Sequence, residues 1–268
     1  VLILLPPSEG KTPATTGDPV DHATLWLPQL GPARSRVQSR LVALCKRTSA
    51  RSVADSLSVL GLSDGQRGEL ARNAELPVAP AAPAVEVYTG VLYEALDAGT
   101  LDEAARKWLF ETAVVFSGLW GVVRLGDRIP AYRCSVGVTL PVLGGLTAYW
   151  KKALRTALDQ AAAGGPVLDL RSGAYAAMWA PPAGAADRVA ALRVLHEKVV
   201  GGVPKRSVVS HFNKATKGRL VRALAAGQAA PESVDELITA IRDLGFTVEE
   251  EPAPAGKPRR LDVVVAEL

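Results

Sequence analysis

Four stretches of this chain combine cations, hydroxyls and glycines in patterns that could meet an anion. The first is Ser8-Glu9-Gly10-Lys11-Thr12. Ser8, Lys11, Thr12 and the backbone N–H groups near Gly10 could converge on phosphate oxygens, as donors in a concave loop do. Gly10-Lys11-Thr12 has the form of the end of a Walker A motif. That motif also needs glycine five residues before Gly10, where Leu5 stands, so a P-loop NTPase is rejected. An ordinary polar turn is the competing reading.

The second stretch is Phe116-Ser117-Gly118-Leu119-Trp120-Gly121-Val122-Val123-Arg124, continuing to Asp127, Tyr132 and Arg133. Two glycines directly after an apolar run point to close backbone approach or an unusual turn. Arg124 and Arg133 have the fork geometry that takes phosphate or carboxylate oxygens. A core Trp with surface arginines would read the same way. Ser117 lacks the preceding glycine of a Gly-x-Ser-x-Gly elbow, so a hydrolase elbow is unsupported.

The third, Leu140 to Lys152, holds Gly144-Gly145 and then Trp150-Lys151-Lys152. It has the look of the hairpin and second helix of a helix-hairpin-helix, in which backbone N–H groups at a helix start meet DNA phosphate. The residues before it, Val136 to Leu140, read as strand instead of the required first helix. The fourth stretch, Ser210 to Arg222, packs Lys214, Lys217 and Arg219 into six residues, with Lys214 and Lys217 on one helix face. A solvated helix face is its plain alternative. His22, His196 and His211 have no i, i+3 or i, i+4 partner, so no metal site is expected. Asp169 and Glu86 stand near strand ends with nothing in the sequence to pair them.

The elements that must hold these stretches follow from periodicity. Val1 to Leu5 is an unbroken apolar run ended by Pro6-Pro7, which predicts a strand buried on both faces. Strands are also expected at 85–90, 113–116, 136–140, 167–170, 207–210, 246–250 and 261–265. Helices are expected within 30–60, and over 101–110, 146–163 and 233–244. The segment 189–199 mixes both signals, and 77–83 is a Pro/Ala connector. No repeat of 20–50 residues is present. Strands and helices alternate irregularly, which predicts one mixed α/β (α+β) domain over residues 1–268, with a central mixed sheet and surrounding helices.

Composition narrows the class. The 268 residues are 48% hydrophobic and 22% charged, ordinary globular usage, with a formal charge of +4. A mildly basic balance permits an anionic partner without demonstrating one. The two cysteines, Cys45 and Cys134, form no CxxC motif and suit a reducing, cytoplasmic setting with free thiols. No segment nears the ~20 apolar residues of a membrane span, so no membrane partner is expected.

Taken in order, these stretches resemble the YaaA family of bacterial peroxide-stress proteins over nearly the whole chain. The opening strand with its Lys11-Thr12 loop, Val87-Tyr88-Thr89-Gly90, Ser117 to Arg124 with Asp127 and Pro130 to Arg133, and Trp150 are similar to family motifs. So are Asp169 to Tyr175 and Lys214 to Gly218. The loop departs from the family's Ser-Pro-Ala-Lys-Thr by one extra residue and by Glu9 beside Lys11, and Ala131 is inserted between Pro130 and Tyr132. The resemblance implies a link to hydrogen peroxide survival and lower free iron, a single α/β domain, and DNA binding through a basic cleft.

Two functions are carried forward. One is a DNA-binding protein of the oxidative-stress response, with phosphate contacts from Lys11, Thr12, Arg124, Arg133, Lys151, Lys152, Lys214, Lys217 and Arg219 and stacking by Tyr88, Trp120 or Trp150. The other is an enzyme acting on a nucleotide or other small anion in a pocket holding Ser8, Lys11, Tyr88, Ser117, Arg124 and Tyr132. No cofactor is expected, and direct iron or peroxide chemistry has little support without a ligand cluster. Convergence on one enclosed cavity would favour the enzyme, and an open basic groove would favour DNA.

Overall fold

The computed structural model describes residues 1–200, 203–208, 210–254 and 256–265, with the backbone alone for residues 200, 204 and 210–212. Its centre is an eight-stranded mixed sheet among the described residues. We number its strands β1 (Leu2–Leu5), β2 (Ala113–Ser117), β3 (Gly121–Arg124), β4 (Val167–Asp169), β5 (Val189–Val200), β6 (Val203–Ser207), β7 (Thr247–Glu251) and β8 (Arg259–Val265). The order across the sheet is β7-β8-β5-β4-β1-β2-β3, with β6 also paired to β5.

β1 lies parallel to both β2 and β4, β4 is parallel to β5, and β5 is parallel to β8. The hairpin partners β3, β6 and β7 are antiparallel. Ile3, Leu4, Leu5, Val114, Val115 and Phe116 are all buried, as strands covered on both faces require. The longer helices are α1 (Gly31–Cys45), α2 (Ala50–Leu60), α3 (Gly68–Ala74), α4 (Val91–Leu96), α5 (Glu103–Thr112), α6 (Leu146–Ala161), α7 (Ser210–Ala226) and α8 (Val234–Asp243). Ser49, Asp102 and Ser233 cap α2, α5 and α8 by accepting a backbone N–H three residues on. One continuous apolar core runs from β1 through α1, β2, α6 and β5 to β8.

The chain leaves β1 toward β2 on one side and leaves β4 toward β5 on the other. Where neighbouring parallel strands diverge in this way, a crevice opens at their carboxyl ends. The loops at that crevice are Pro6 to Lys11 and Leu170 to Tyr175.

Three sequence expectations are corrected. Residues 85–90 are not a strand: Ala84–Val87 forms one helical turn, and only Tyr88 enters a ladder, an isolated antiparallel bridge with Lys11. The backbone N–H groups of Ala84 and Val85 are claimed by the carbonyls of Asp127 and Leu125, which bends the segment out of an extended course. The stretch 140–152 is not the hairpin and second helix of a helix-hairpin-helix. Thr139–Leu140 pairs antiparallel with Gly144–Gly145, and a single helix, α6, follows. The strand expected at 207–210 lies earlier, at Val203–Ser207, and Ser210 already opens α7; residue 209 falls outside the described residues. No helix among the described residues is long and apolar enough to cross a membrane.

Candidate functional site

Pro6 and Pro7 have no N–H to donate, so they end β1 and turn the chain outward. The loop that follows is pinned by its backbone. Thr12 N–H donates to the Val87 carbonyl (2.9 Å), and Thr89 N–H donates to the Gly10 carbonyl (3.3 Å) and to Ser8 Oγ (3.1 Å). Tyr93 Oη donates to the Pro6 carbonyl at 2.8 Å. A side chain at Gly10 would put its Cβ 2.8 Å from Thr89 Oγ1 and force that hydroxyl to turn away from the loop. These contacts aim Lys11 into the crevice.

Lys11 Nζ donates to the Ser8 carbonyl (2.8 Å) and lies 4.3 Å from the centre of the Tyr132 ring. Tyr132 is held from behind. Ser117 Oγ accepts from the N–H groups of Leu119 (3.1 Å) and Trp120 (2.9 Å), a local turn that the Ser-Gly-Leu-Trp order permits. With its lone pairs engaged, Ser117 donates to Tyr132 Oη (2.6 Å), and Tyr132 Oη is hydrogen-bonded to Tyr88 Oη (2.9 Å). Ser117, Tyr88 and Tyr132 therefore form one buried chain of hydroxyls beneath the crevice, and only Tyr132 faces it. Burial pushes the Tyr88 and Tyr132 phenols well above their usual range, so both stay protonated.

The opposite wall is built after β4. Arg171 grips Asp169 with two hydrogen bonds, 2.9 and 2.7 Å, donates to the carbonyls of Tyr175 (3.1 Å) and Trp179 (2.9 Å), and stacks on Phe116. Its donors are spent on the fold. Asp169 is thereby removed as a free acid or base, and Glu86 stands exposed near Arg106 away from the crevice. Lys217, on α7, reaches the Leu170 carbonyl at 2.9 Å, and Lys214 lies one turn before it, exposed. Arg133 reaches the rim and pairs with the outward-facing Glu9 at 2.8 Å.

The resulting crevice has a volume of about 1120 Å³. Ser8, Lys11, Tyr132, Arg133, Lys214 and Lys217 all line it. Arg193 also lines it but is committed to Asp262 and Glu251. None of Lys11, Lys214 and Lys217 forms an ion pair among the described residues. Burial and the nearby Arg133 charge lower the Lys11 pKa to about 7, and burial lowers that of Lys217 to about 8. The crevice is thus cationic, with amines that gain or lose protons near neutrality.

Several expected residues lie elsewhere. Arg124 is carried to the opposite end of the sheet because β3 runs back antiparallel from the Gly118–Trp120 turn. There it stacks over Trp26 at 5.3 Å and lines a second cavity of about 440 Å³ with Val1 and Glu111. Trp150 is fully buried, its indole N–H donating to the Gly118 carbonyl and its ring against Gly121, so it cannot stack on a base. Tyr88 and Trp120 are equally enclosed. Lys151 and Lys152 are exposed on α6 and do not line the crevice, nor do Thr12 or Arg219. The side chain of His211 lies outside the described residues. Among those residues, no group of three or more His, Cys, Asp or Glu could hold a metal ion. Cys45 and Cys134 are free and buried, their thiols pushed up to about 11 and about 12.

Tyr93 and Ser135 line the crevice without having been singled out from the sequence, beside Tyr175, which ends one of the motifs that carried the resemblance. Their only local signal was a position within or next to a Gly-rich turn.

A family model described as peroxide stress protein YaaA matches residues 1–252. A UPF0246 protein of Streptomyces coelicolor is 53% identical over 100% of both chains. A UPF0246 protein of Corynebacterium efficiens is 42% identical over 93% of this chain and 95% of its own length. An uncharacterized protein of Campylobacter jejuni is 26% identical over 84% of this chain and 85% of its own.

Proposed function

The chain belongs to the peroxide stress protein YaaA family, and from that starting point we propose that it binds and acts on a small phosphate-bearing molecule, of nucleotide size, in the crevice between β1 and β4. The observation that carries this reading is the meeting of Lys11, Arg133, and the α7 pair Lys214 and Lys217, from three separate segments, in one hollow. Its volume of about 1120 Å³ lies slightly above the usual span of small-ligand sites, roughly 300–1,000 Å³, and holds a molecule of nucleotide size. Its place at the diverging carboxyl ends of parallel strands is where open α/β sheets take their ligands.

Arg133 and Lys214 supply the anchoring charge, and Ser8 Oγ and Tyr93 border the same space. Lys11, with a pKa of about 7, and Lys217, with one of about 8, are poised to exchange a proton with a bound substrate.

Binding along duplex DNA is the rival. A duplex presents a phosphate about every 1.7 Å and calls for a long basic track. Lys151 and Lys152, which would extend one, stand outside the crevice on α6. Calorimetry with mononucleotides, inorganic phosphate and a short duplex separates the two. Arg133→Ala and Lys214→Ala are each expected to weaken mononucleotide or phosphate binding by about tenfold, the cost of a charge-assisted contact. Lys151→Ala and Lys152→Ala are expected to change it less than twofold. Duplex binding that is lost with the α6 pair and indifferent to the crevice pair would overturn the proposal.

A further inference from the structure

Lys11 differs from every other lysine of the chain in how it is held. Its backbone is fixed on both sides, by the Pro6-Pro7 turn before it and by the bridge to Tyr88. Its Nζ donates to the Ser8 carbonyl at 2.8 Å and lies over the Tyr132 ring, which is itself clamped through its hydroxyl by Ser117 and Tyr88. Arg133, a fixed like charge, shares the same hollow. An amine in such a place, desolvated and beside another cation, is of the kind used as a nucleophile toward carbonyl carbon.

We propose that the Lys11 amine condenses with an aldehyde or ketone that also bears a phosphate, forming an imine while the phosphate rests on Arg133 and Lys214. This deepens the small-ligand reading above and rests on it. In the step, the Nζ lone pair adds to the carbonyl carbon and the C=O π electrons move to oxygen, giving a carbinolamine. The C=N bond then forms as that oxygen departs as water, taking both amine hydrogens. No oxidant, reductant or metal takes part. The carbonyl of Ser8 holds one amine hydrogen and so orients the lone pair away from the loop. The flat Tyr132 ring beneath leaves room for a planar imine.

The lowered pKa of Lys11, about 7, supports this geometry, because a substantial share of the amine is unprotonated at neutral pH. Lys217 is a less suitable nucleophile. It bonds the Leu170 carbonyl and feels the Asp169 carboxylate, which favours its protonated form, whereas Lys11 has the Arg133 charge beside it, which disfavours that form.

Pyridoxal 5′-phosphate, a phosphate-bearing aldehyde with a coloured imine, is the probe. It is added to the whole protein at neutral pH, the imine is reduced with borohydride, and the labelled peptide is mapped by mass. The expected result is one label per chain, on Lys11, suppressed by excess inorganic phosphate. It should form about tenfold or more faster than on a solvent-facing lysine, since the gain in free amine outweighs the loss of intrinsic nucleophilicity. Lys11→Arg removes the nucleophile; it should abolish the imine colour while the circular dichroism spectrum of the folded protein is unchanged. Labelling of Lys217, Lys151 or Lys152 at or above the rate of Lys11 would overturn the assignment. Phosphate binding in the crevice without any imine would sink this inference alone. Absence of both would sink the small-ligand reading as well.

Discussion

An amine stripped of water by burial holds its proton poorly, and two lysines here, Lys11 and Lys217, meet that condition. Lys217 is buried and keeps a proton only to about pH 8 when folded, against about 10.5 when unfolded. Between those values the unfolded chain binds more protons, so stability should rise with pH across that window. Below pH 8 both states are charged, and the folded state bears the full cost of burying the ammonium. Lys217→Met is therefore expected to stabilise the protein at neutral pH by about 1–3 kcal/mol and to flatten the rise in stability above pH 8. Urea unfolding measured across that pH range checks it; a destabilised variant with an unchanged pH profile would show that Lys217 bears no such penalty. A residue that costs stability where it stands is one retained for another reason, which accords with its place in the crevice.

At the scale of the element, the end of β4 is held by a lock of side chain to side chain. Arg171 is bound to Asp169 and to the carbonyls of Tyr175 and Trp179, and its side chain is only 2% exposed. This ties the loop after β4 into the shape of a wall. Asp169→Asn would leave a buried guanidinium without its carboxylate and should cost about 3–5 kcal/mol. Thermal unfolding followed by circular dichroism measures it, and a loss below about 1 kcal/mol would mean that the carbonyls alone satisfy Arg171. The turn between β2 and β3 depends on small residues in the same way. Gly121 has φ 73°, and a Cβ there would lie 2.7 Å from the Trp150 ring, while a Cβ at Gly118 would lie 2.5 Å from the Cys134 carbonyl.

At the scale of the whole molecule, charge is concentrated by topology more than by composition. A formal charge of +4 over 268 residues is slight. Yet Lys11, Arg133, Lys214 and Lys217 meet in the crevice lining, where Glu9 is the one acid among the described residues, while Arg171 and Arg193 beside them are paired with carboxylates. A local cationic hollow predicts a shallow salt dependence. A ligand with one phosphate group displaces few counterions, whereas a duplex held by six to ten phosphates loses about 10³–10⁵ in affinity between 50 and 200 mM salt. Mononucleotide affinity is expected to fall by about tenfold or less over the same range. Titrations at the two salt concentrations check this, and a steep, duplex-like slope would move the binding surface outside the crevice.

Much of this was readable from the chain. The apolar run before Pro6-Pro7, the paired C-terminal strands and the helix over 233–244 each report a local constraint, φ/ψ preference or side-chain period. The same local logic marked Ser8, Lys11, Tyr132, Arg133, Lys214 and Lys217 as candidates because their types and neighbours suit an anion. Local logic also misled where distant groups intervened. Residues 85–90 alternate like a strand, but the carbonyls of Leu125 and Asp127 take their donors. Arg124 sits seven residues from Ser117 in a motif that looks like one site, and an antiparallel return sends it to the far edge. Side-chain chemistry is written in the sequence. Which groups share a hollow, which are spent on one another as Arg171 and Asp169 are, and which amines lose their water are set by contacts across the chain, and those exist only once the sheet has formed.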